Sequence, residues 1–194
     1  IVGIAAGYDH NLALRSDGTV AGWGSDYSYE SIRVGQATPP AGLSNVVAVR
    51  GGSWHSLALK KDGMVVGWGY GGGFVPGGLT NIIAISAGEF HSLFLRADGT
   101  VVAAGNNTDG QVSVPAGLTN VVAIEAEYYF SMALQADGHV VCWGTQPSPG
   151  SSVNRAVAIS GGPYALNVDG TVVAWGSGVL PNPPPTGVVA IGAS

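Results

Sequence analysis

Three of the four histidines occupy one position of a recurring sequence pattern, and histidine is the commonest metal-ligating side chain. They are His10, His55 and His91, and a fourth copy of the pattern has Phe130 at this position. A position that accepts a phenyl ring does not depend on metal binding, and equivalent side chains in rotated copies lie far apart. The sequence therefore predicts histidines that are hydrogen-bonded within or between the copies, with no metal site and no cofactor. His139 is expected in an exposed turn.

Five carboxylates also recur, and positioned carboxylates could act as general acids or bases. Each is followed by glycine: Asp17, Asp62, Asp98, Asp137 and Asp169. Asp-Gly is typical of the tight turn of a β-hairpin, which accounts for all five. No Ser-His-Asp order stands out from the repeat, and no glycine-rich phosphate loop precedes a helix. We therefore predict no catalytic residues and no enzyme.

The composition argues against several classes of partner. The net charge is −5, and the seven Lys and Arg residues are scattered, whereas nucleic-acid binders normally show a basic patch. No apolar run approaches the roughly 18–20 residues of a membrane span. Cys142 is the only cysteine, and it stands where other copies have Gly or Ala, which predicts a buried structural thiol. We expect neither a nucleic-acid nor a membrane partner.

The repeat has constant spacing in one part and variable spacing in another. Thirteen residues separate the end of a β-branched segment from the Asp of Asp-Gly in four copies, and the fifth copy is three shorter: Ile4 to Asp17, Val49 to Asp62, Ile85 to Asp98, Ile124 to Asp137, and Ile159 to Asp169. Six residues further on stands the Trp of a Trp-Gly pair, replaced by Ala104 in the third copy: Trp23, Trp68, Trp143 and Trp175. The spacing after this pair varies. This pattern predicts a fixed hairpin core, tryptophans that pack between units, and variable loops.

The elements that carry these residues are short β-branched strands joined by hairpin turns. Four antiparallel strands per unit, repeated radially, form a propeller blade. We predict an all-β single domain over residues 1–194, with repeats at about 1–45, 46–81, 82–120, 121–155 and 156–187 and a partial unit at 188–194. Val188–Ile191 would begin a sixth unit, so the chain is expected to form part of a larger ring. A closed ring of five blades is the alternative.

One repeat shows a family resemblance most clearly. Ala87–Val102, followed by Gly105–Asn107 and Gly110-Gln111, is similar to the repeat of the regulator of chromosome condensation family, in particular its bacterial branch. The resemblance implies a propeller, usually of seven blades, that acts as an exchange factor, docking platform or inhibitor. The loop after Ala-Ala-Gly is also similar to that of the secreted β-lactamase inhibitory propeller, which implies an extracellular or cell-surface location.

The residues that differ between repeats predict the binding site. In an up-down-up-down blade, the loop after the first strand and the loop after the third strand lie on one face, opposite the Asp-Gly turns. These loops carry large aromatic rings among acidic and amide side chains: Tyr8, Asp9, Asp26, Tyr27, Tyr29, Trp54, Tyr70, Glu89, Phe90, Asn107, Asp109, Tyr128, Tyr129 and Tyr164. Such a mixture is typical of a protein-binding surface. The alternative is that each ring packs on its neighbouring blade.

Two binding functions compete. A protein partner with a basic or mixed patch fits one composite site built from unlike loops. A carbohydrate partner would instead favour near-identical sites in every repeat, with rings stacking on sugars. Because the loops differ strongly, we expect a non-catalytic protein-binding module, with a carbohydrate-binding propeller as the alternative.

Overall fold

The computed structural model describes residues 1–146, 148–149, 153 and 155–192, which contain fifteen β-strands. The strands form five three-stranded antiparallel sheets, each in sequence order. We call these sheets blades 1 to 5. Their strands are β1 (Gly3–Ala6), β2 (His10–Leu14) and β3 (Val20–Gly24) in blade 1; β4 (Val46–Gly51), β5 (His55–Lys60) and β6 (Val65–Gly69) in blade 2; β7 (Ile82–Ala87), β8 (His91–Arg96) and β9 (Val101–Gly105) in blade 3; β10 (Val121–Ala126), β11 (Phe130–Gln135) and β12 (Val140–Gly144) in blade 4; and β13 (Ala156–Ser160), β14 (Tyr164–Asn167) and β15 (Val172–Ala174) in blade 5. A short 3₁₀ turn at Tyr70–Phe74 follows β6.

The second and third strands of every blade are joined by an Asp-Gly turn, which confirms the prediction. In blade 3 the Asp98 carboxylate accepts hydrogen bonds from the main-chain N–H of Thr100 (3.0 Å) and from its hydroxyl (2.6 Å). These bonds hold the pKa of Asp98 below its usual value. Gly99 has φ +78°, a conformation that side chains disfavour. The other four turns repeat the Asp contact to the main chain two residues on.

The expected fourth strand does not form in the part of the chain that the structure describes. After the third strand the main chain is held by side chains instead of a strand ladder. In blade 1 the Asp26 carboxylate accepts the N–H of Ala37 (2.9 Å) and the hydroxyl of Thr38 (2.6 Å). In blade 3 Asn107 accepts the N–H of Val112 (2.9 Å). Because these anchors differ from blade to blade, the segments have no common pairing register.

The hydrophobic core is divided into four seams between successive blades. In the seam between blades 1 and 2, Leu12 and Leu14 pack against Val49 and Trp68. Equivalent hydrophobic clusters lie between blades 2 and 3, 3 and 4, and 4 and 5. In blades 2 to 5 one face of the sheet therefore contacts the preceding blade. We call this face, and the equivalent face of blade 1, the leading face.

A polar relay crosses the first three seams. His10 Nε2 lies 2.7 Å from Ser56 Oγ, and the Ser56 hydroxyl donates to the carbonyl of Gln36 at 2.8 Å. Since the serine proton is used on that carbonyl, Nε2 of histidine must carry the donated proton. The pairs His55–Ser92 and His91–Ser131 repeat the contact at 3.0 and 2.9 Å. The histidines are thus structural and hydrogen-bonded between blades, as the sequence predicts.

The fourth seam replaces this polar pair by an apolar one. Phe130 occupies the histidine position, and the position that supplies serine in blades 2 to 4 is Pro163 in blade 5. Cys142 packs in the same cluster as Phe130 and Trp175. Burial raises the pKa of its thiol to about 12, so that the sulfur is protonated. The prediction of a buried structural thiol is confirmed.

The leading face of blade 1 is uncovered. Ile4 is 79% exposed, although its counterparts Val49 and Ile85 are each 3% exposed. Trp23 is 52% exposed and Trp68 is 7% exposed. Blade 5 does not cover blade 1, so the closed five-blade ring is wrong. The expectation that Trp23 packs between units is wrong for the same reason, because none of the five described blades lies against it.

The segment after blade 5 begins as the first strand of a sixth unit would begin. The N–H of Val188 donates to the carbonyl of Gly170 at 3.0 Å, just as Val46 donates to Gly18 (3.0 Å). Val188–Ile191 nevertheless forms no β-strand, and no strand among the described residues pairs with it. Residues 193–194 of the partial unit, and residues 147, 150–152 and 154 of the fourth repeat, lie outside the described residues. The repeat boundaries and the larger ring stay predictions.

Candidate functional site

The two ends of the blades form two surfaces. The turn face is the end that carries the five Asp-Gly turns, and the loop face is the opposite end. A Gly-x-x-His spacing aligns the first loops of blades 1 to 3, where a Cβ on Gly52 would overlap the carbonyl oxygen of Gly88 and lie 2.6 Å from the His55 ring. Blade 4 has Glu127 and Phe130 instead. Glycine is thus needed where successive blades approach closely.

The loop residues after this position occupy two sets of equivalent places. The first residue lines the mouth of the central channel, and we call these places the inner positions: Tyr8, Ser53, Glu89 and Tyr128. The next residue does not line the channel, and we call these places the outer positions: Asp9, Trp54, Phe90 and Tyr129. No two inner positions of adjacent blades carry the same residue.

Trp54 forms the floor of an aromatic cluster between blades 1 and 2. The ring of Tyr8 lies 5.5 Å from Trp54, and the ring of Tyr29 lies 5.8 Å from it on another side. Trp54 is 6% exposed, whereas Tyr29 is 69% exposed. The indole Nε1 of Trp54 is buried and has no hydrogen-bond partner among the described residues. A buried N–H group of this kind is costly unless an acceptor reaches it.

A second aromatic cluster joins blades 2 and 3. Tyr70 lies 5.6 Å from Phe90 and 6.0 Å from Phe74, and Phe74 packs edge-on against His55 at 5.4 Å. Gly71 to Gly73 all have positive φ, which allows the chain to curl and place Tyr70 beside Phe90. The glycine triplet therefore positions a ring instead of forming a phosphate loop.

Glu89 connects these clusters to blade 4. Burial raises the pKa of Glu89, and the hydroxyl of Tyr129 lowers it in part. Its Oε2 is buried and has no partner among the described residues. Burial also raises the pKa of Tyr128, and the charges of Tyr8 and Glu89 raise it further. Side chains from blades 1, 3 and 4 therefore meet around the channel mouth.

The central channel below this mouth has a volume of about 730 Å³ and is lined by both apolar and charged residues. Burial raises the pKa of Glu125 and of Glu127, both on the blade 4 side. The hydroxyl of Ser86 lies 3.2 Å from Oε2 of Glu125, and the charge of Arg50 acts on the same carboxylate. The acidic character of the mouth thus continues into the channel.

Charge is distributed unequally between the faces. On the turn face, the five Asp-Gly carboxylates are balanced by five cations: Arg15, Lys60, Lys61, Arg96 and Arg155. The loop face and channel hold the other seven carboxylates with only Arg33 and Arg50: Asp9, Asp26, Glu30, Glu89, Asp109, Glu125 and Glu127. The whole net charge of −5 therefore belongs to the loop face and channel. Within the described residues, Arg33 with Asp26 is the one ion pair there.

The fourteen predicted site residues do not all join one surface. Asp26 and Asn107 are occupied in holding their own loops. Tyr27 and Asp109 are exposed but make no ring contact with the two clusters. Tyr164 lies in β14 instead of a loop, and its hydroxyl bonds to the main chain of Val179. The shortened fifth repeat moves it there, because Gly162 takes the histidine position.

Sequence reasoning missed several residues that support the face. The carbonyls of Gln36 and Gln111 accept the indole N–H of Trp68 and Trp143 at 2.9 and 2.8 Å. The recurrence of Gly-Gln was a usable signal for them. Glu125 and Glu127 had no comparable signal, since each stands once where other copies have small or unlike residues.

The described residues hold neither a candidate metal cluster nor a candidate membrane-spanning helix. They contain no group of three or more His, Cys, Asp or Glu side chains that could hold a metal ion. None of the helical segments among them is long and apolar enough to cross a membrane.

The radial series of antiparallel sheets, joined by repeated seams, defines the chain as a β-propeller. Residues 1–30, 46–72 and 82–111 match the Regulator of chromosome condensation (RCC1) repeat. The chain therefore carries RCC1-type repeats in blades 1 to 3. Blade 4, where Glu127 and Phe130 depart from the pattern, lies outside the matched segments. No curated protein matches the chain by sequence.

Solved structures confirm the propeller fold. Yeast RCC1 (Prp20), in a crystal structure with Kap60 bound, is 25% identical with a TM-score of 0.59, over 74% of this chain and 43% of that one. Prp20p from Saccharomyces cerevisiae, described with its binding properties to Gsp1p and histones, is 21% identical with a TM-score of 0.66, over 87% and 55%. Human WBSCR16 is 22% identical with a TM-score of 0.67, over 89% and 61%. The chain spans less than two thirds of the length of each.

Proposed function

We propose that this chain is a non-catalytic protein-binding module whose partner docks on the loop face. The observation that carries the proposal is the concentration of exposed tyrosines on this face and of the unbalanced negative charge on this face and in the channel below it. Tyrosine and tryptophan provide large apolar contact areas with a polar group, and such residues dominate the energetics of interfaces. The balanced, repeated turn face lacks this combination.

The contact surface is the union of the two aromatic clusters and the channel mouth: Tyr8, Asp9, Tyr29, Trp54, Tyr70, Glu89, Phe90, Tyr128 and Tyr129. Tyr27 and Asp109 lie at its rim. Asp26 and Asn107 contribute by fixing the loops that carry Tyr29 and the Asp109 turn. Tyr164 is left out, because its hydroxyl is used by Val179. Unlike residues at equivalent places make one composite site.

Structural relatives support a binding role. Yeast RCC1 (Prp20) is seen with Kap60 bound, and binding to Gsp1p and histones is described for Prp20p. The resemblance to the β-lactamase inhibitory propeller implies an inhibitor-like or scaffold role, and this stays a prediction. A carbohydrate partner would require similar sites in each blade, whereas the inner positions here are Tyr, Ser, Glu and Tyr.

A capture experiment with matched baits tests the proposal. The loop-face variant Tyr29→Ala/Tyr70→Ala removes two exposed rings, and the control Met64→Ala/Val168→Ala removes two exposed apolar side chains from the turn face. Wild type, variant and control are immobilised and exposed to an extract of the source organism. We expect a protein that wild type and control retain and that the loop-face variant loses. Thermal melting checks that all three baits are folded.

Two results would contradict the proposal. One is that every retained protein binds the loop-face variant as well as it binds wild type. The other is binding to a glycan array that the loop-face variant abolishes, which would favour the carbohydrate alternative.

A further inference from the structure

The kind of partner can be stated more closely, and this inference rests on the proposed function. We propose that the loop face receives an arginine-bearing basic segment of the partner protein at the channel mouth, with the guanidinium group on Glu89 and a main-chain carbonyl on the indole N–H of Trp54. The inference combines the charge of the face with two unpaired polar atoms.

The first argument is charge complementarity. Seven carboxylates share the loop face and channel with two arginines, and one of these, Arg33, is used by Asp26 at 2.9 Å. An opposite charge on the partner would steer its approach and select it over acidic competitors. A basic segment is therefore the occupant that suits this surface, and an acidic one would be repelled.

The second argument comes from two of the seven buried side-chain atoms that lack hydrogen-bond partners among the described residues. Oε2 of Glu89 is a buried acceptor. Nε1 of Trp54 is a buried donor in a residue that is only 6% exposed. Buried polar groups in folded proteins are nearly always hydrogen-bonded. The loop face thus has one unpaired acceptor and one unpaired donor. A peptide with a basic side chain suits both, because its side chain donates hydrogen bonds and its main-chain carbonyls accept them. This pairing is independent of the net charge.

The third argument concerns the aromatic rings beside these atoms. Tyr29 lies beside Trp54, with its ring 5.8 Å from the indole, and its pKa is raised first by Glu30 and to a lesser extent by Glu89. A cation beside aromatic faces gains further attraction. Arginine suits this environment better than lysine, because its planar group stacks on rings while it bonds a carboxylate in a fork.

The test uses a blocked Gly-Arg-Gly-Arg-Gly peptide and a twin in which neutral citrulline replaces both arginines. Each is titrated into the full chain and followed by NMR amide and indole shifts, with the Trp54 indole resonance assigned through Trp54→Phe. We expect the arginine peptide to bind about tenfold more tightly than its twin, as one charge-assisted contact implies. The shifts should centre on Trp54 and the inner positions.

Protein variants locate the effect. Glu89→Gln keeps the shape of the side chain and should abolish the preference for arginine. Asp62→Asn removes the same charge from the turn face and should leave the preference unchanged. Equal affinity of the two peptides, absence of binding by both, or an arginine preference that survives Glu89→Gln would overturn the inference. If that happens while capture still depends on Tyr29 and Tyr70, the proposed function stands and only the arginine-bearing partner is wrong.

Discussion

The loop face and the turn face are made by opposite ends of the same strands, yet they follow different rules. At the turn face every blade repeats one Asp-Gly turn, and carboxylates and cations balance. At the loop face the inner positions change from Tyr8 to Ser53 to Glu89 to Tyr128. The hairpin register restricts the turn face, because each tight turn requires a glycine with positive φ after the Asp. The loop face is held by side-chain anchors that differ between blades, so it can carry one composite site.

The largest effect is expected in the seams, which join the two faces. Trp68→Ala removes a buried ring and leaves the Gln36 carbonyl without its indole donor. We expect the free energy of unfolding to fall by about 4 kcal/mol, measured by denaturant titration. Trp23→Ala is the matched control, because Trp23 is exposed at the uncovered leading face, and it should change stability by less than about 1 kcal/mol. Equal losses in the two variants would show that blade 1 is covered in solution.

The loop face should affect binding more than folding. Tyr29→Ala/Tyr70→Ala is expected to weaken partner binding by about 2 kcal/mol, a thirtyfold loss of affinity, with little change in melting temperature. Calorimetric titration with a captured partner measures it. The exposed tyrosines are better probes than Trp54, because truncating that buried indole should also lower stability. A large drop in melting temperature with unchanged affinity would place these rings in the core.

The histidine relay predicts a pH dependence that belongs to the seams and not to either face. Burial lowers the pKa of His91 from 6.5 to about 4. Between pH 4 and pH 6.5 this histidine binds more protons in the unfolded chain than in the folded chain. The contribution of neutral His91 to stability is therefore complete above pH 6.5 and is lost as the pH falls toward 4. His91→Phe/Ser131→Ala imitates the apolar fourth seam and should remove this loss.

Unfolding free energies at pH 7 and pH 5 measure the effect. The loss between the two values should be smaller in the variant by about 2 kcal/mol. Each protein serves as its own reference, so a change in overall stability does not matter. Identical losses in wild type and variant would mean that the folded protein accommodates protonated His91.

The smallest effect is expected for a single hairpin on the turn face. Gly99 has φ +78°, so Gly99→Ala should lower stability by about 1 kcal/mol. Partner affinity should be unchanged, because the turn lies at the opposite end of blade 3 from Phe90. Thermal melting and the titration above check both parts. A loss of affinity without a loss of stability would remove the distinction between the two faces.

The sequence was most informative where its spacing is constant. Asp98-Gly99 and its copies predicted the hairpins, and the replacement of histidine by Phe130 correctly argued for a structural position. The missing fourth strand could not be predicted, because Asp26 and Asn107 replace a strand ladder with side-chain contacts. Trp23 and Trp68 both stand in a Gly-Trp-Gly segment, and their environments differ because a described blade covers Trp68 and none covers Trp23.

The end of the blades at which the loops of the candidate site lie was predictable, but the contacts of their side chains were not. The alternation of strands placed Tyr8, Trp54 and Tyr129 on one face. Spacing could not show that Asp26 is used inside its loop, that Tyr164 enters a strand, or that Glu127 extends the acidic surface into the channel. These outcomes depend on contacts within the loops, on where the fifth repeat is shortened and on the lining of the channel, which a repeat of local spacing does not encode.

Hydrogen–deuterium exchange of the chain, with and without a captured partner, tests the central claim most directly. The account predicts slower exchange of main-chain amides in the first loops, around Tyr8, Trp54, Glu89 and Tyr128, with unchanged exchange at the five Asp-Gly turns. Protection at the turns with unchanged exchange at the loops would contradict it.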